Sequence, residues 1–307
     1  MLGPILFSIY SSPIADIARR HNVKVHMYAD DCQLYLSYDT ATNIENTTSR
    51  LEACISDIRV WMRTNKLKLN DSKTEFMLLS PSNSKIAQPP LNISIGDENV
   101  GQSDTIRNLG MVWDTSLNML PHINKLTQLS FIQLKNIRAI KDSLTYNALE
   151  KVIHSFITSR LDYGNACLFG LPDVALRRLQ RIQNAAARVL SGAKKFDSIT
   201  PILKRLHWLP VRQRITFKLL LITYKVINNS TPEYLKDLLI KKNGRALRDS
   251  NKLHVPLAST KTFGDRAFSV AAPRLWNNIP PDIRSIDNII DFKQSIKTLL
   301  YSQCFDM

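Results

Sequence analysis

Residues 24–38 read Lys-Val-His-Met-Tyr-Ala-Asp-Asp-Cys-Gln-Leu-Tyr-Leu-Ser-Tyr. Val23, Val25 and Met27 alternate with Lys24, His26 and Tyr28, and then Cys32, Leu34, Leu36 and Tyr38 alternate with Gln33, Tyr35 and Ser37. Period two on both sides of a short break predicts a β-hairpin whose turn holds Asp30 and Asp31. Aspartate suits a turn, so a turn and nothing more is one reading. Adjacent like charges repel, however, and strands disfavour Asp. The other reading is that the pair is kept for its charge.

Around this hairpin the pattern is mixed. Pro4 to about Arg20 predicts an apolar helical stretch, with Pro13 as a break or kink. Ile44, Leu51, Ile55, Ile58 and Met62 fall at helical spacing between about Asn43 and Arg63. Residues 74–80, TEFMLLS, predict a short strand, residues 80–90 a loop, and residues 91–114 short strands around Gly-containing turns. The first 115 residues are therefore expected to be an α+β layer.

Beyond Asp114 the pattern turns helical. Ile123, Leu126, Leu129, Ile132, Leu134 and Ile137 mark one helix, and residues 145–164 predict a second. A third, over 173–190, has Leu176, Leu179, Ile182, Ala186 and Val189 on one face and Arg177, Arg178, Arg181 and Arg188 elsewhere. Residues 210–228 predict a largely buried helix, and residues 291–303 a short amphipathic one. Between them, residues 260–283 are rich in Gly, Pro and aromatics and predict irregular structure.

The charge narrows the function classes. Lys and Arg number 41 against 26 Asp and Glu, a net +15 over 307 residues. Such an excess points to a polyanionic partner, with nucleic acid the default. Residues 171–220 concentrate it, with eleven Lys and Arg against Asp173 and Asp197. A solvated helix face normally mixes signs, so a one-sign face suggests phosphate contacts. Cys32, Cys54, Cys167 and Cys304 lack metal-knuckle spacing and suit free thiols in a reducing compartment. No apolar run reaches the ~20 residues of a membrane span. The expected setting is intracellular, nucleus or cytoplasm, with no membrane partner and no set oligomeric state.

Paired carboxylates at a hairpin tip suit Mg²⁺, which takes one or two carboxylates plus substrate phosphates. Metal charge would also relieve their repulsion. Tyr-x-Asp-Asp alone is weak, since by average usage it arises by chance in a chain this size on the order of a few per cent of the time. It stands here in an ordered set. GPILFSIY (3–10) precedes it, and LKLNDSKTEFMLL (67–79) and IRNLGMVWD (106–114) follow. This set resembles the palm of reverse transcriptases, most closely those of non-LTR (LINE-type, jockey-like) retrotransposons. PHINKL, SRLDYGNACLFGLP, RLQRIQNAAARVL, HWLPVRQRITFKLLLITYK and GDRAFSVAAPRLWNNIP resemble the C-terminal region of those polyproteins.

The resemblance implies an RNA-directed DNA polymerase with a two-metal nucleotidyl-transfer centre using Mg²⁺ or Mn²⁺. Its partners would be an RNA template, a DNA primer and dNTPs. Asp30 would be a metal ligand, Asp31 would assist near the primer end, and Tyr28 would pack under the primer terminus. Lys73 would approach the nucleotide phosphates and could serve as general acid; a solvated loop lysine is the alternative. Asn108, Leu109 and Gly110 would form the turn resembling the primer grip, or an ordinary hairpin turn. Cys32 is expected to be inert packing, and His26, His122, His154 and His207 are not expected to bind metal. Residues 1–115 would be a partial palm, 116–171 a helical thumb-like region and 172–307 a basic, mostly helical C-terminal region. Arg177, Arg178, Arg181 and Arg188 would extend the grip on nucleic acid.

The family's first palm strand carries a further catalytic aspartate. Only 29 residues precede Asp30, and their one acid, Asp16, sits in a predicted helix. The expectation is an N-terminally truncated polymerase, incomplete in catalysis. The alternatives are a non-catalytic nucleic-acid-binding remnant and an unstable product whose open sheet edge invites aggregation.

Overall fold

The computed structural model describes residues 2–38, 44–79, 91–242, 251–258, 260 and 263–305. It divides into two compact units, Met1–Ile106 and Arg107–Met307.

The first unit opens with helices α1 (Gly3–Ser11) and α2 (Pro13–Arg20). They meet at Ser12 because Pro13 has no N–H to continue the ladder of α1, and its fixed φ suits the first position of α2. Strands β1 (Lys24–Tyr28) and β2 (Asp31–Tyr35) pair antiparallel, with Val25 opposite Leu34 and Met27 opposite Cys32. Val25, Met27, Leu34 and Leu36 pack against Ile14, Ile17 and Ala18 of α2 and against Cys54 and Ile58 of α3 (Ile44–Thr64). Ile55, at a different angle on α3, packs on Ile93 and Ile95. These come from strand β3 (Asn92–Ile95), which pairs with β4 (Glu98–Gly101). α3 thus fills the space between two hairpins. The α+β class holds, but the described strands form separate two-stranded sheets, not one continuous layer.

The strand expected at 74–80 is reduced to one parallel bridge between Phe76 and Gln102, with Ser103 N–H donating to Phe76 O at 2.8 Å. Phe76 packs on the Ile93 and Ile95 cluster, so its burial is satisfied without a full ladder. The loop expected at 80–90 lies outside the described residues.

The boundary between the units falls within strand β5 (Thr105–Asn108), which pairs with β6 (Met111–Asp114). Helix α4 (Leu120–Ile140) follows, then α5 (Tyr146–Ile153), a π-helical turn His154–Thr158 and α6 (Ser159–Asp162). α7 (Asp173–Ser191) buries the predicted Leu176, Leu179, Ile182, Ala186 and Val189. α8 (Thr200–Arg205) and α9 (Val211–Ile227) come next. One core runs from Met111 through Ile123, Ile153 and Leu179 to Ile215.

The far half of α9 joins a second core, in which Tyr224 stacks on Phe292 at 4.2 Å between ring centroids. Helices α10 (Glu233–Lys236), α11 (Phe268–Asn278), α12 (Pro281–Arg284) and α13 (Ile289–Phe305) complete the chain. α11 corrects the irregular structure expected over 260–283. Pro273 removes one helical hydrogen bond, yet Val270, Ala271, Ala272 and Trp276 are all buried. Burying that face offsets one lost bond of about 1 kcal/mol. α13 also extends two residues beyond its sequence pattern at each end. Among the described residues, no helix is long and apolar enough to cross a membrane.

Candidate nucleotidyl-transfer site and nucleic-acid surface

The β1–β2 turn is two residues long, Ala29 and Asp30, with Asp31 opening β2 opposite Tyr28. Ala29 sits at φ +53°, a left-handed backbone that costs a residue with a Cβ about 1 kcal/mol. Strain of this kind clusters at functional turns. Register sets the faces. Val25, Met27 and Leu34 face the core, so Tyr28 and Asp31 share the opposite face with His26 and Gln33. Tyr28 is 63% exposed and both aspartates are exposed. Neither carboxylate has a hydrogen-bond or ion-pair partner among the described residues. Two adjacent carboxylates therefore project into solvent from the hairpin tip, a donor set that fits part of a divalent-metal shell. Among the described residues, no group of three or more His, Cys, Asp or Glu could hold a metal ion.

Cys32, expected to be packed, is exposed. Protein crowding around its sulfur, with Cys54 nearby, still pushes the thiol up to about 11, so it is protonated and unreactive at neutral pH. All four cysteines are free thiols. Asp16 is a helix-surface residue paired with Arg19 at 2.5 Å. Lys73 ends a short 3₁₀ turn, Asp71–Lys73, and is exposed. That turn is tied to α3 through Arg59, which pairs with Asp71 at 2.7 Å.

Asn108, Leu109 and Gly110 form the β5–β6 turn in the second unit. Leu109 and Gly110 are both left-handed, at φ +45° and +79°. Tyr163 braces the turn: its hydroxyl donates to Leu109 O at 2.6 Å, and a Cβ on Gly110 would lie 3.3 Å from its ring. From β6, Asp114 organises the entry to α4. Its Oδ1 accepts from Ser116 N–H, Ser116 Oγ–H and Asn118 N–H, and its Oδ2 accepts from Met119 N–H at 2.7 Å. Burial alone would raise this carboxyl, but the four hydrogen bonds outweigh burial and hold it below the usual carboxylate range. Arg266 donates to Leu117 O at 2.8 Å and Phe169 O at 3.1 Å, tying the same loop to the turn before α7. Pairs such as Tyr163 with Leu109, or Arg266 with Leu117, are too far apart in sequence for local patterns to show them. Asp114 had a local signal: Asp-Thr-Ser-Leu-Asn is a run of turn formers ahead of a helix.

The basic segment proves partly structural. Arg188 Nε and Nη2 donate to Lys194 O at 3.2 Å and Asp197 O at 3.1 Å. Arg178 donates to Asn124, Arg212 pairs with Asp173, and Arg214 pairs with Asp162. Gln183, also on α7, donates to Leu209 O at 2.8 Å, and Gln180 accepts from Val211 N–H at 2.9 Å at the start of α9. Arg177, Arg181, Lys194, Lys195, Lys204, Arg205 and Arg212 are exposed.

Residues 1–113 match the reverse transcriptase (RNA-dependent DNA polymerase) family. A probable RNA-directed DNA polymerase from transposon X-element of Drosophila melanogaster is 25% identical over 206 residues, covering 64% of this chain and 21% of that protein. The chain spans about a fifth of the length of that relative. No solved structure matches the chain. Both matches make the chain similar to reverse transcriptases, the first over residues 1–113 and the second to that of a transposon. Members of this family are nucleotidyltransferases that generally use divalent metals, and they act on RNA/DNA template–primer with dNTPs.

Proposed function

We propose that the β1–β2 tip is the metal-binding element of an RNA-directed DNA polymerase palm. Asp30 is the principal ligand, Asp31 assists it, and Tyr28 supports the primer end. Mg²⁺ or Mn²⁺ bound there would activate the primer 3′-hydroxyl and stabilise charge on the leaving pyrophosphate. This chain's own residues hold the carboxylates on a rigid turn, leave the Tyr28 face open to substrate and keep the core side dry. Lys73 meets the nucleotide phosphates. The Asn108–Leu109–Gly110 turn, braced by Tyr163, contacts the primer backbone, where Gly110 allows close approach. Residues 1–115 act as palm, 116–171 as thumb and 172–307 as a basic nucleic-acid-binding region, in an intracellular setting.

The observation that carries this reading is the pair of unpartnered, exposed carboxylates at the strained hairpin tip of a reverse-transcriptase-like sequence. Since the described residues bring no third acid to the pair, the chain alone is proposed to turn over slowly. Losing several kcal/mol of transition-state stabilisation would cost orders of magnitude in rate, at about 1.4 kcal/mol per tenfold. Primer extension on an RNA template with Mg²⁺ tests this. Any incorporation should vanish in Asp30→Ala. Incorporation that survives Asp30→Ala refutes the site, while robust Asp30-dependent synthesis refutes only the slow turnover.

A second reading is favoured by the exposed cations on and around α7 and α8. The chain would bind duplex or hybrid through phosphates, without sequence choice. About five phosphate contacts predict a log–log salt slope around −4. Salt-independent binding would count against it.

A further inference from the structure

The segment between α7 and α8 is a braced loop with an aromatic tip. α7 ends at Gly192, left-handed at φ +70°. Ala193 and Ile199 pack against the main core of the second unit. Between them, Lys194 N–H donates to Asp197 Oδ2 at 2.7 Å, and Arg188 clamps the carbonyls of Lys194 and Asp197 from inside the loop. Phe196 projects from this frame at 91% exposure. Lys195 Nζ lies 5.5 Å from the centroid of its ring. Arg188, counted from sequence as a phosphate ligand, is thus spent on shaping the loop.

A fully exposed phenyl ring forgoes roughly 1.5–3 kcal/mol of burial. Scattered exposed apolar residues are ordinary, but this ring is not isolated on a slack segment. Hydrogen bonds fix its loop at both ends, and the Lys195 ammonium lies 5.5 Å from the ring centroid. An exposed aromatic ring with a cation beside it is an arrangement that receives an unpaired nucleobase while the cation meets an adjoining phosphate.

We propose that Lys194, Lys195 and Phe196 form a single-strand nucleic-acid site, with Phe196 as the platform on which one unpaired base stacks. A duplex has no free base face to offer, so the site distinguishes single strands from duplex where phosphate contacts alone cannot. The proposal builds on the basic surface described above but is separable from it, because duplex binding reports the phosphate contacts and the single-strand excess reports the stack.

The test is fluorescence anisotropy with the full chain, using fluorescein-labelled dT12, rU12 and a 12-base-pair DNA duplex at one fixed salt concentration. Stacking of about 1–3 kcal/mol per base predicts that Phe196→Ala weakens dT12 and rU12 binding roughly 5- to 150-fold. Duplex affinity should stay within about twofold, and Phe196→Tyr should bind as the native chain does. Lys195→Gln should reduce the salt slope by about one for every probe. Phe196 is exposed, so circular dichroism and the melting temperature should not change with either substitution at that position. The proposal is overturned if Phe196→Ala leaves dT12 binding unchanged, or lowers dT12 and duplex binding equally. It is also overturned if the substitution abolishes binding to phosphatidylserine vesicles while sparing dT12.

Discussion

Replacing Asp114 with alanine should destabilise the second unit by about 3 kcal/mol, because four donors lose one buried acceptor. The carboxylate is 6% exposed and receives Ser116 N–H, Ser116 Oγ–H, Asn118 N–H and Met119 N–H. Hydrogen bonds to a charged group contribute roughly 1.5–3 kcal/mol each, but not additively. Asn118 is exposed and Ser116 half-buried, so both can turn to water. Met119 is 0% exposed, and its orphaned N–H alone costs about 1–3 kcal/mol. For a unit of this size, ~3 kcal/mol lowers the melting temperature by about 6–12 °C. Asp114→Asn keeps one carbonyl acceptor and should lose about half as much. Differential scanning calorimetry on the intact chain reads both. The carboxyl sits below its unfolded value, so its contribution is complete above about pH 4 and fades as pH falls through the lowered folded pKa. The gap between native and Asp114→Ala chains must therefore shrink in acid. A loss under about 1 kcal/mol at pH 7, or a gap that widens in acid, would refute the capping account.

His122 gives a second pH signature. Burial, and then Lys125, hold it below the usual histidine range, and Val112 N–H donates to its Nδ1 at 3.3 Å. Stability from this neutral ring is complete above about pH 6.5 and is lost as pH drops through the folded value; urea melts at pH 7.5 and 5.5 should lie closer together in His122→Gln than in the native chain. Gly164 is left-handed at φ +61°, and an added Cβ would lie 2.3 Å from Met111 Sδ in the core. Gly164→Ala should cost about 2–4 kcal/mol by denaturant titration, and a change under about 1 kcal/mol would contradict that packing. Ala29→Gly relieves the strained turn at the aspartate tip and, net of glycine's entropy cost, should stabilise the first unit by up to about 1 kcal/mol. Destabilisation would mean the turn is not strained as described.

Much of this molecule is legible in sequence where the determinants are local. The period-two pattern around Asp30 and Asp31 locates the hairpin because Val25, Met27 and Leu34 must face α2 and α3. Arg177 and Arg181 read correctly as exposed because the 3.6-residue pattern of α7 leaves them off its buried face. Local pattern fails where distant groups decide. Residues 268–278 carry a proline and aromatics that suggest irregular structure, yet Trp276 and Phe292 close a core that makes them a helix. The net +9 of residues 171–220 likewise overstates the free positive surface. Arg214 pairs with Asp162, outside that segment, and Arg188 is consumed by backbone carbonyls.

The central claim is that the Asp30–Asp31 tip takes a divalent cation. Mn²⁺ titration followed by paramagnetic broadening of backbone amide resonances tests it without requiring activity. The account predicts broadening centred on Tyr28 to Cys32, at millimolar or lower Mn²⁺, with its loss in Asp30→Asn. Broadening centred elsewhere, or unchanged at the tip in Asp30→Asn, would contradict it.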